Sequence, residues 1–253
     1  MPKKIVVIGG RGLIGARLVA LLRAHGHEAV SASPRTGVNA ITGEGLAEAL
    51  KDSSVVVDVT DSPSYEEQAV MEFFTTSTRN LLASEAKAGV GHHVALSIVG
   101  TQRLPQIPYY RAKIAQEQLI RDSSVPYSIV QATQFFEFLK AIADYSTVDG
   151  KVHAPAAFIQ PISADDVAAA IANVAEGAPL NGLLEIAGPD RYTFEEALRR
   201  DLAARNDPRE VVTDPVAGYF GARIPDTGLV PQDDSAHLGA TRFDEWLSRP
   251  ARS

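Results

Sequence analysis

Through the first two thirds of the chain, short apolar runs alternate with segments whose apolar residues recur at helical period. Ile5-Val6-Val7-Ile8 reads as a buried strand, and residues 13–24 as a helix turning Leu13, Ala16, Leu18, Val19 and Leu22 inward. Residues 28–32 read as a second strand, 45–51 as a short helix and Val55-Val56-Val57 as a third strand. A helix over 65–88, a strand over 93–98, a helix over 109–121 and a strand over 127–131 follow. This repetition predicts an α/β fold, a parallel sheet covered on both faces. Right-handed crossovers then make the sheet doubly wound.

Beyond residue 132 the rhythm loosens. Residues 163–175 and 193–204 are helical, each opened by a capping box: Ser163 with Asp166, and Thr193 with Glu196. Between 207 and 240 there is little periodicity and much Gly, Pro and Asp, which reads as an irregular lobe. The expected division is residues 1–132 as the main doubly wound domain, with 133–253 completing the sheet and forming a smaller, irregular C-terminal lobe.

The first strand runs into Gly9-Gly10-Arg11-Gly12-Leu13-Ile14-Gly15, which opens the first helix. Glycines at this spacing permit a tight turn, backbone approach to a pyrophosphate and close helix–strand packing. The helix N-terminus then offers free N–H groups and a positive dipole end to phosphate. Position in the chain favours a dinucleotide site of the Rossmann kind over a merely structural turn. In an NAD site an acid ends the second strand and grips the ribose 2′-hydroxyl. Here that place reads Ser31-Ala32-Ser33-Pro34-Arg35, and Glu28 lies at the wrong end of the strand. Ser33 and Arg35, with Arg11 from the glycine turn, suit a 2′-phosphate. NADP(H) is therefore the expected cofactor, and NAD(H) the second choice.

Composition removes several other classes. The chain of 253 residues carries a formal charge of −7 and shows no basic patch, which disfavours nucleic acid. It has no cysteine, so disulfides and thiolate chemistry are excluded. No apolar run reaches membrane-spanning length, and the start of the chain lacks a signal-peptide pattern, so a cytoplasmic protein with no membrane partner is expected. His92-His93 resembles a metal pair, but adjacent strand residues face opposite ways and no third ligand is near in sequence. A homo-oligomer is left open.

Ser97 follows the apolar run Val94-Ala95-Leu96, and Tyr109 and Lys113 share a helical face at i, i+4. Together with Gly9, Gly12 and Gly15, this constellation resembles the short-chain dehydrogenase/reductase superfamily. Leu96–Gly100, Tyr109–Lys113 with Glu117, and Val130–Phe136 make the chain most similar to its atypical, NmrA-like branch. The resemblance implies Tyr109 as general acid to a substrate carbonyl and Lys113 as ribose ligand and modulator of the Tyr pKa. It also implies Ser97 as the group that orients the carbonyl. Tyr110 competes with Tyr109 for the register, and packing of the helix start is the plainer role for both. Thr60, with Asp61 and Ser62, ends the third strand where the cofactor should run; equally, Ser64 and Glu67 could simply cap the next helix. Phe135 and Phe136 either line the nicotinamide or pack the core. Trp246, with Phe243 and Leu247, reads as the anchor of a last helix.

The leading expectation is an NADPH-dependent reductase of an apolar or aromatic carbonyl or quinone-type small molecule. The irregular stretch 214–238 would serve as its lid. The alternative is a non-catalytic NADP(H)-binding redox sensor acting on a protein partner, and a third reading is an isomerase or epimerase.

Overall fold

The computed structural model describes residues 2–249. In chain order the first strands and helices are β1 (Lys4–Ile8), α1 (Leu13–Ala24), β2 (Glu28–Ala32), α2 (Leu46–Leu50), β3 (Val55–Asp58), α3 (Glu67–Ala88), β4 (His92–Ile98), α4 (Pro108–Arg121) and β5 (Tyr127–Ala132). Then come α5 (Leu139–Tyr145), β6 (Thr147–Val148), β7 (Lys151–Pro155), β8 (Phe158–Ile159), α6 (Ala164–Glu176), β9 (Gly182–Ala187) and β10 (Tyr192–Thr193). The last elements are α7 (Phe194–Ala204), β11 (Glu210–Asp214), β12 (His237–Leu238) and α8 (Phe243–Leu247). Seven strands form one sheet in the order β12-β9-β5-β4-β3-β1-β2. Growth from β1 in both directions makes it the doubly wound Rossmann sheet that the alternation implied. β1 pairs in parallel with β2 and with β3, so Ile8 lies between Ala32 and Asp58. The strand ends at the glycine turn are thereby aligned.

Contacts divide the chain into two compact units. The first comprises Met1–Ser97, Pro108–Gln131 and Val167–Leu184. Its core lies between the sheet and its helices, as in the cluster of Val6, Ile8, Ala32, Leu46, Leu50, Val56, Leu81 and Val90. Burial of this apolar surface is the main force closing the layers. α1 buries Ile14, Gly15, Leu18, Val19 and Leu22, while Ala16 is exposed and Leu13 half-buried. The buried stripe is rotated from the expected one because Gly15 must press its helix onto the glycine turn.

The two histidines at the start of β4 fill separate internal roles. Ser128 Oγ accepts from the Leu180 N–H and is hydrogen-bonded to His92 Nε2 at 2.8 Å. Burial lowers the His92 pKa to about 4, so this ring is neutral. His93 lies on the other face, with Nδ1 at 2.9 and 3.0 Å from the two oxygens of the fully buried Glu85. Burial is the largest single influence and pulls the His93 pKa down, but the charge and hydrogen bond of Glu85, with the charge of Asp58, together outweigh it and the net direction is upward. A raised folded-state pKa means that the native state holds this proton more tightly than the unfolded chain does. The stabilisation is fully present below the ordinary histidine value of about 6.5 and is lost as pH rises through the folded value. The urea midpoint should therefore fall as pH increases above that point. Glu85→Gln should flatten the slope, and an equal slope in that variant would remove the pair as its source.

The second unit comprises Ile98–Ile107, Ala132–Asp166 and Glu185–Ser253. Phe136 is buried, with Phe243 at 4.8 Å and Trp246 at 5.3 Å between ring centroids, so α8 is anchored as its aromatic spacing suggested. The stretch 207–240 is less irregular than its composition implies. β11 pairs in parallel with β7 in a small sheet ordered β11-β7-β6. Val211 and Val212 supply its apolar pair, too short a run to stand out from the surrounding Asp and Pro. The capping box at Ser163 is half formed: its Oγ accepts from the Asp166 N–H at 3.0 Å. The Asp166 carboxylate instead accepts from the backbone N–H and hydroxyl of Thr241. Thr193 caps α7 through the Glu196 N–H. α3 begins at Glu67 without a side-chain cap, and Ser64 Oγ accepts from the Glu66 N–H instead.

Candidate cofactor and catalytic site

β1 ends at Ile8 and the chain reverses through Gly9, whose φ of +81° excludes most side chains. The N–H groups of Gly9 and Gly10 donate to the Ala32 carbonyl at 3.0 and 3.4 Å, seating the turn on the end of β2. A Cβ on Gly10 would stand 2.6 Å from Ser31 Oγ and 2.9 Å from the Val7 carbonyl oxygen. A Cβ on Gly15 would run into the Gly9 carbonyl oxygen and lie 2.7 Å from Gly10 Cα. Gly12 differs: a Cβ there meets only the Gly9 oxygen, at 3.3 Å, and otherwise points into open space. Gly12 is also the N-cap of α1, with no side-chain cap and no acid in the first turn. The first N–H groups of a helix have no intrahelical partner, and its N-terminus carries partial positive charge. Leu13 and Ile14 contribute their backbone here, since the Ile14 side chain is buried.

The end of β2 completes the cradle. Ser31 Oγ and Ser33 Oγ are buried without a hydrogen-bond partner, an arrangement that costs free energy until a ligand or water supplies one. Arg35 stands exposed in a 3-10 turn over Pro34–Thr36, and Arg11 is exposed in the glycine turn. Among the described residues neither arginine has an ion-pair partner. Glu28, the nearest carboxylate in sequence, opens β2 at its far end. Orphaned hydroxyls, an uncapped helix start and two free guanidinium groups fit a dinucleotide.

β3 and α4 supply the rest. Asp58 ends β3 buried beside Ile8, where its Oδ1 accepts from the Thr60 N–H at 3.0 Å and the Thr60 hydroxyl at 2.7 Å. Its Oδ2 accepts from Gln116 Nε2 at 3.0 Å, and Gln116 Oε1 accepts in turn from Lys113 Nζ. The Lys113 ammonium also donates to the Leu96 carbonyl at 2.8 Å and lies 4.3 Å from the centre of the Phe74 ring. Burial lowers the Lys113 pKa to about 8, against the opposing pull of Asp58, Glu117 and Asp61. Thr60 thus sits beside Gly9 and serves the Asp58 carboxylate, a role distinct from starting the next helix.

Tyr109 and Lys113 share a face of α4, as their spacing requires, while Tyr110 is buried. The Tyr109 hydroxyl donates to Asp61 Oδ1 at 2.7 Å. Burial and then the Asp61 charge raise its pKa well above the ordinary phenol value. Ser97 donates to Glu117 Oε1 at 2.6 Å, and the same oxygen accepts from Gln131 Nε2 at 2.7 Å. Arg121 holds the other Glu117 oxygen at 3.1 Å. Among the described residues no hydrogen bond joins Ser97, Tyr109 and Lys113 to one another. Phe136 is a core side chain; Phe135 stacks on the partly exposed Phe138 at 5.5 Å.

Sequence reasoning named Asp61 beside Thr60 but passed over Asp58 and Gln116. The available signals were an acid closing an apolar strand and an amide three residues beyond the lysine on its own helix.

A profile of the NAD(P)H-binding family matches residues 9–177, so the chain belongs to that family. Photosystem II assembly factor Ycf39 of Synechocystis is 23% identical over 150 residues, covering 54% of this chain and 46% of that protein. The chain thus spans about half the length of this curated relative. Among solved structures, dTDP-4-dehydrorhamnose reductase of Bacillus anthracis in complex with NADP superposes with a TM-score of 0.71 at 11% identity, covering 97% of this chain and 93% of that one. The Bordetella bronchiseptica enzyme WbmG in complex with NAD gives 0.68 at 16%, covering 98% and 92%. A putative epimerase from Burkholderia cenocepacia gives 0.70 at 18%, covering 97% and 96%. At these identities the structures share the fold. The fold and the family profile together bear out the resemblance to atypical short-chain dehydrogenase/reductases, and NAD(P)H binding with it. Among the described residues no helix is long and apolar enough to cross a membrane.

Proposed function

We propose that this chain is an NADPH-dependent reductase of an apolar or aromatic carbonyl or quinone-type acceptor. One observation carries the reading: the glycine cradle is linked through Thr60, Asp58 and Gln116 to a buried lysine on the helix that bears Tyr109. In this reading the pyrophosphate lies over Gly12 and the first N–H groups of α1, and Lys113 donates to the nicotinamide ribose. When bound, NADPH supplies the hydride. Tyr109 supplies the proton once its hydroxyl turns from Asp61 to the acceptor oxygen. Ser97 donates its only proton to Glu117, so orienting a carbonyl requires this hydroxyl, like that of Tyr109, to turn from its carboxylate.

The same commitments favour the second reading, a cofactor-binding sensor without turnover, since both candidate hydroxyls are spent on carboxylates. The relative named as an assembly factor agrees with that alternative. Oxidation of NADPH with a panel of quinones and aldehydes separates the two. Steady oxidation of NADPH with any acceptor supports the reductase, and binding without turnover across the panel supports the sensor.

Cofactor choice follows from the end of β2. Ser33, Arg35 and Arg11 place hydroxyl and positive charge where an NAD site has a carboxylate. NADPH should bind at least roughly tenfold more tightly than NADH, about 1.4 kcal/mol. Arg35→Ala should remove most of that margin and leave NADH affinity nearly unchanged. Equal affinities for the two cofactors by calorimetry would defeat the assignment.

A further inference from the structure

We infer that Gln116 is a positioning residue whose side-chain amide holds Lys113 in place for the cofactor ribose and couples it to the glycine turn. The inference rests on the reading of Lys113 as ribose ligand. Its orientation follows from its neighbours: an ammonium can only donate and a carboxylate can only accept. Gln116 must therefore turn Oε1 to Lys113 and Nε2 to Asp58, as observed. Leu, Met or Ala could satisfy neither group, and both are almost fully buried.

A direct Lys113–Asp58 ion pair would also neutralise the charges, but it would draw the ammonium towards β3. The amide keeps the two apart while satisfying one N–H and one carboxylate oxygen. Leu96 takes a second N–H, and the third remains for a ribose hydroxyl. Asp58 meanwhile fixes Thr60, whose Cα lies 3.1 Å from where a Cβ of Gly9 would stand. Movement of Gln116 is thus felt at both ends of the cofactor site.

The groups acting on Lys113 are Asp58 at the end of β3, Asp61 in the following loop and Glu117 on α4. The Phe74 ring of α3 and the Leu96 carbonyl of β4 complete its surroundings. With a pKa of about 8 the ammonium is half neutralised within an accessible range. Since the charged form is the better donor to the ribose, affinity should fall as pH rises through that value.

The test is calorimetric titration of NADPH between roughly pH 7 and 9.5, above the second phosphate ionisation near 6. The parent chain should lose affinity along a limb centred near 8, and Lys113→Met should lack the limb. Gln116→Leu removes an acceptor for the ammonium, so its limb should move to lower pH and its affinity at pH 7.5 should drop about tenfold. Gln116→Glu retains an acceptor and adds negative charge, so its limb should move to higher pH. It also provides the comparison should the leucine variant fold poorly. A limb in the same place for the parent and both Gln116 variants overturns the inference while leaving cofactor binding intact. A parent chain that binds no NADPH overturns the site reading and the role of Gln116 together.

Discussion

Replacing Tyr109 by Phe should cut NADPH-dependent turnover by roughly 10²–10⁴-fold, the usual loss of a general acid, while NADPH affinity stays near that of the parent. The phenol supplies one proton, and the structure shows that proton shared with Asp61 at 2.7 Å. Burial is the main reason its pKa lies above the ordinary value, and ionising Tyr109 beside the Asp61 carboxylate, which places two negative charges together, raises it further. Asp61 therefore restrains the acid. Asp61→Asn should lower the phenol pKa towards 10 and raise turnover, the opposite direction from most changes in an active site. In the double variant the gain should vanish, because no phenol remains to be released. Unchanged turnover in Tyr109→Phe, measured on the best acceptor found, would assign proton delivery to water or another side chain. A gain from Asp61→Asn that persists without Tyr109 would assign Asp61 a different role.

What the sequence disclosed and what it concealed divide along physical lines. The glycine turn was readable because its constraints are local: one positive φ, one helix start and close packing within a few residues. The sheet was readable because fully buried parallel strands are continuous apolar runs. Tyr109 and Lys113 were readable as a pair on one face because helical period is fixed. Their partners were not. Nothing in the spacing of Ser97 and Glu117 across 20 positions says that one hydroxyl will serve the other's carboxylate. The same holds for Tyr109 and Asp61, which lie 48 positions apart. β11 was missed because two adjacent valines between polar residues are too short a signal, and its pairing with β7 is a tertiary event. The rotation of the α1 stripe had a different cause, the demand of Gly15 for contact with the turn overriding simple amphipathic reading.

That contact leads to a contrast between two glycines three positions apart. Gly15→Ala puts a methyl group among backbone atoms, the Gly9 carbonyl and Gly10 Cα, none of which can swing aside as a side chain could. Overpacking of this kind costs about 1–3 kcal/mol or more, so the variant should melt at lower temperature. α1 must also move off the turn, displacing the N–H groups that face the pyrophosphate. NADPH affinity should fall by at least about 100-fold, near 2.7 kcal/mol. Gly12→Ala meets only the Gly9 oxygen, and its φ of −75° suits any residue, so thermal stability should stay close to the parent. Its methyl nevertheless projects from the N-cap into the space where the phosphates approach, and the affinity loss should be of the same order. Loss of stability and binding at Gly15, against loss of binding alone at Gly12, distinguishes a packing glycine from a ligand-approach glycine. Normal NADPH affinity in a folded Gly12→Ala protein would move the pyrophosphate away from the start of α1, and the proposed placement of Lys113 at the ribose would lose its anchor.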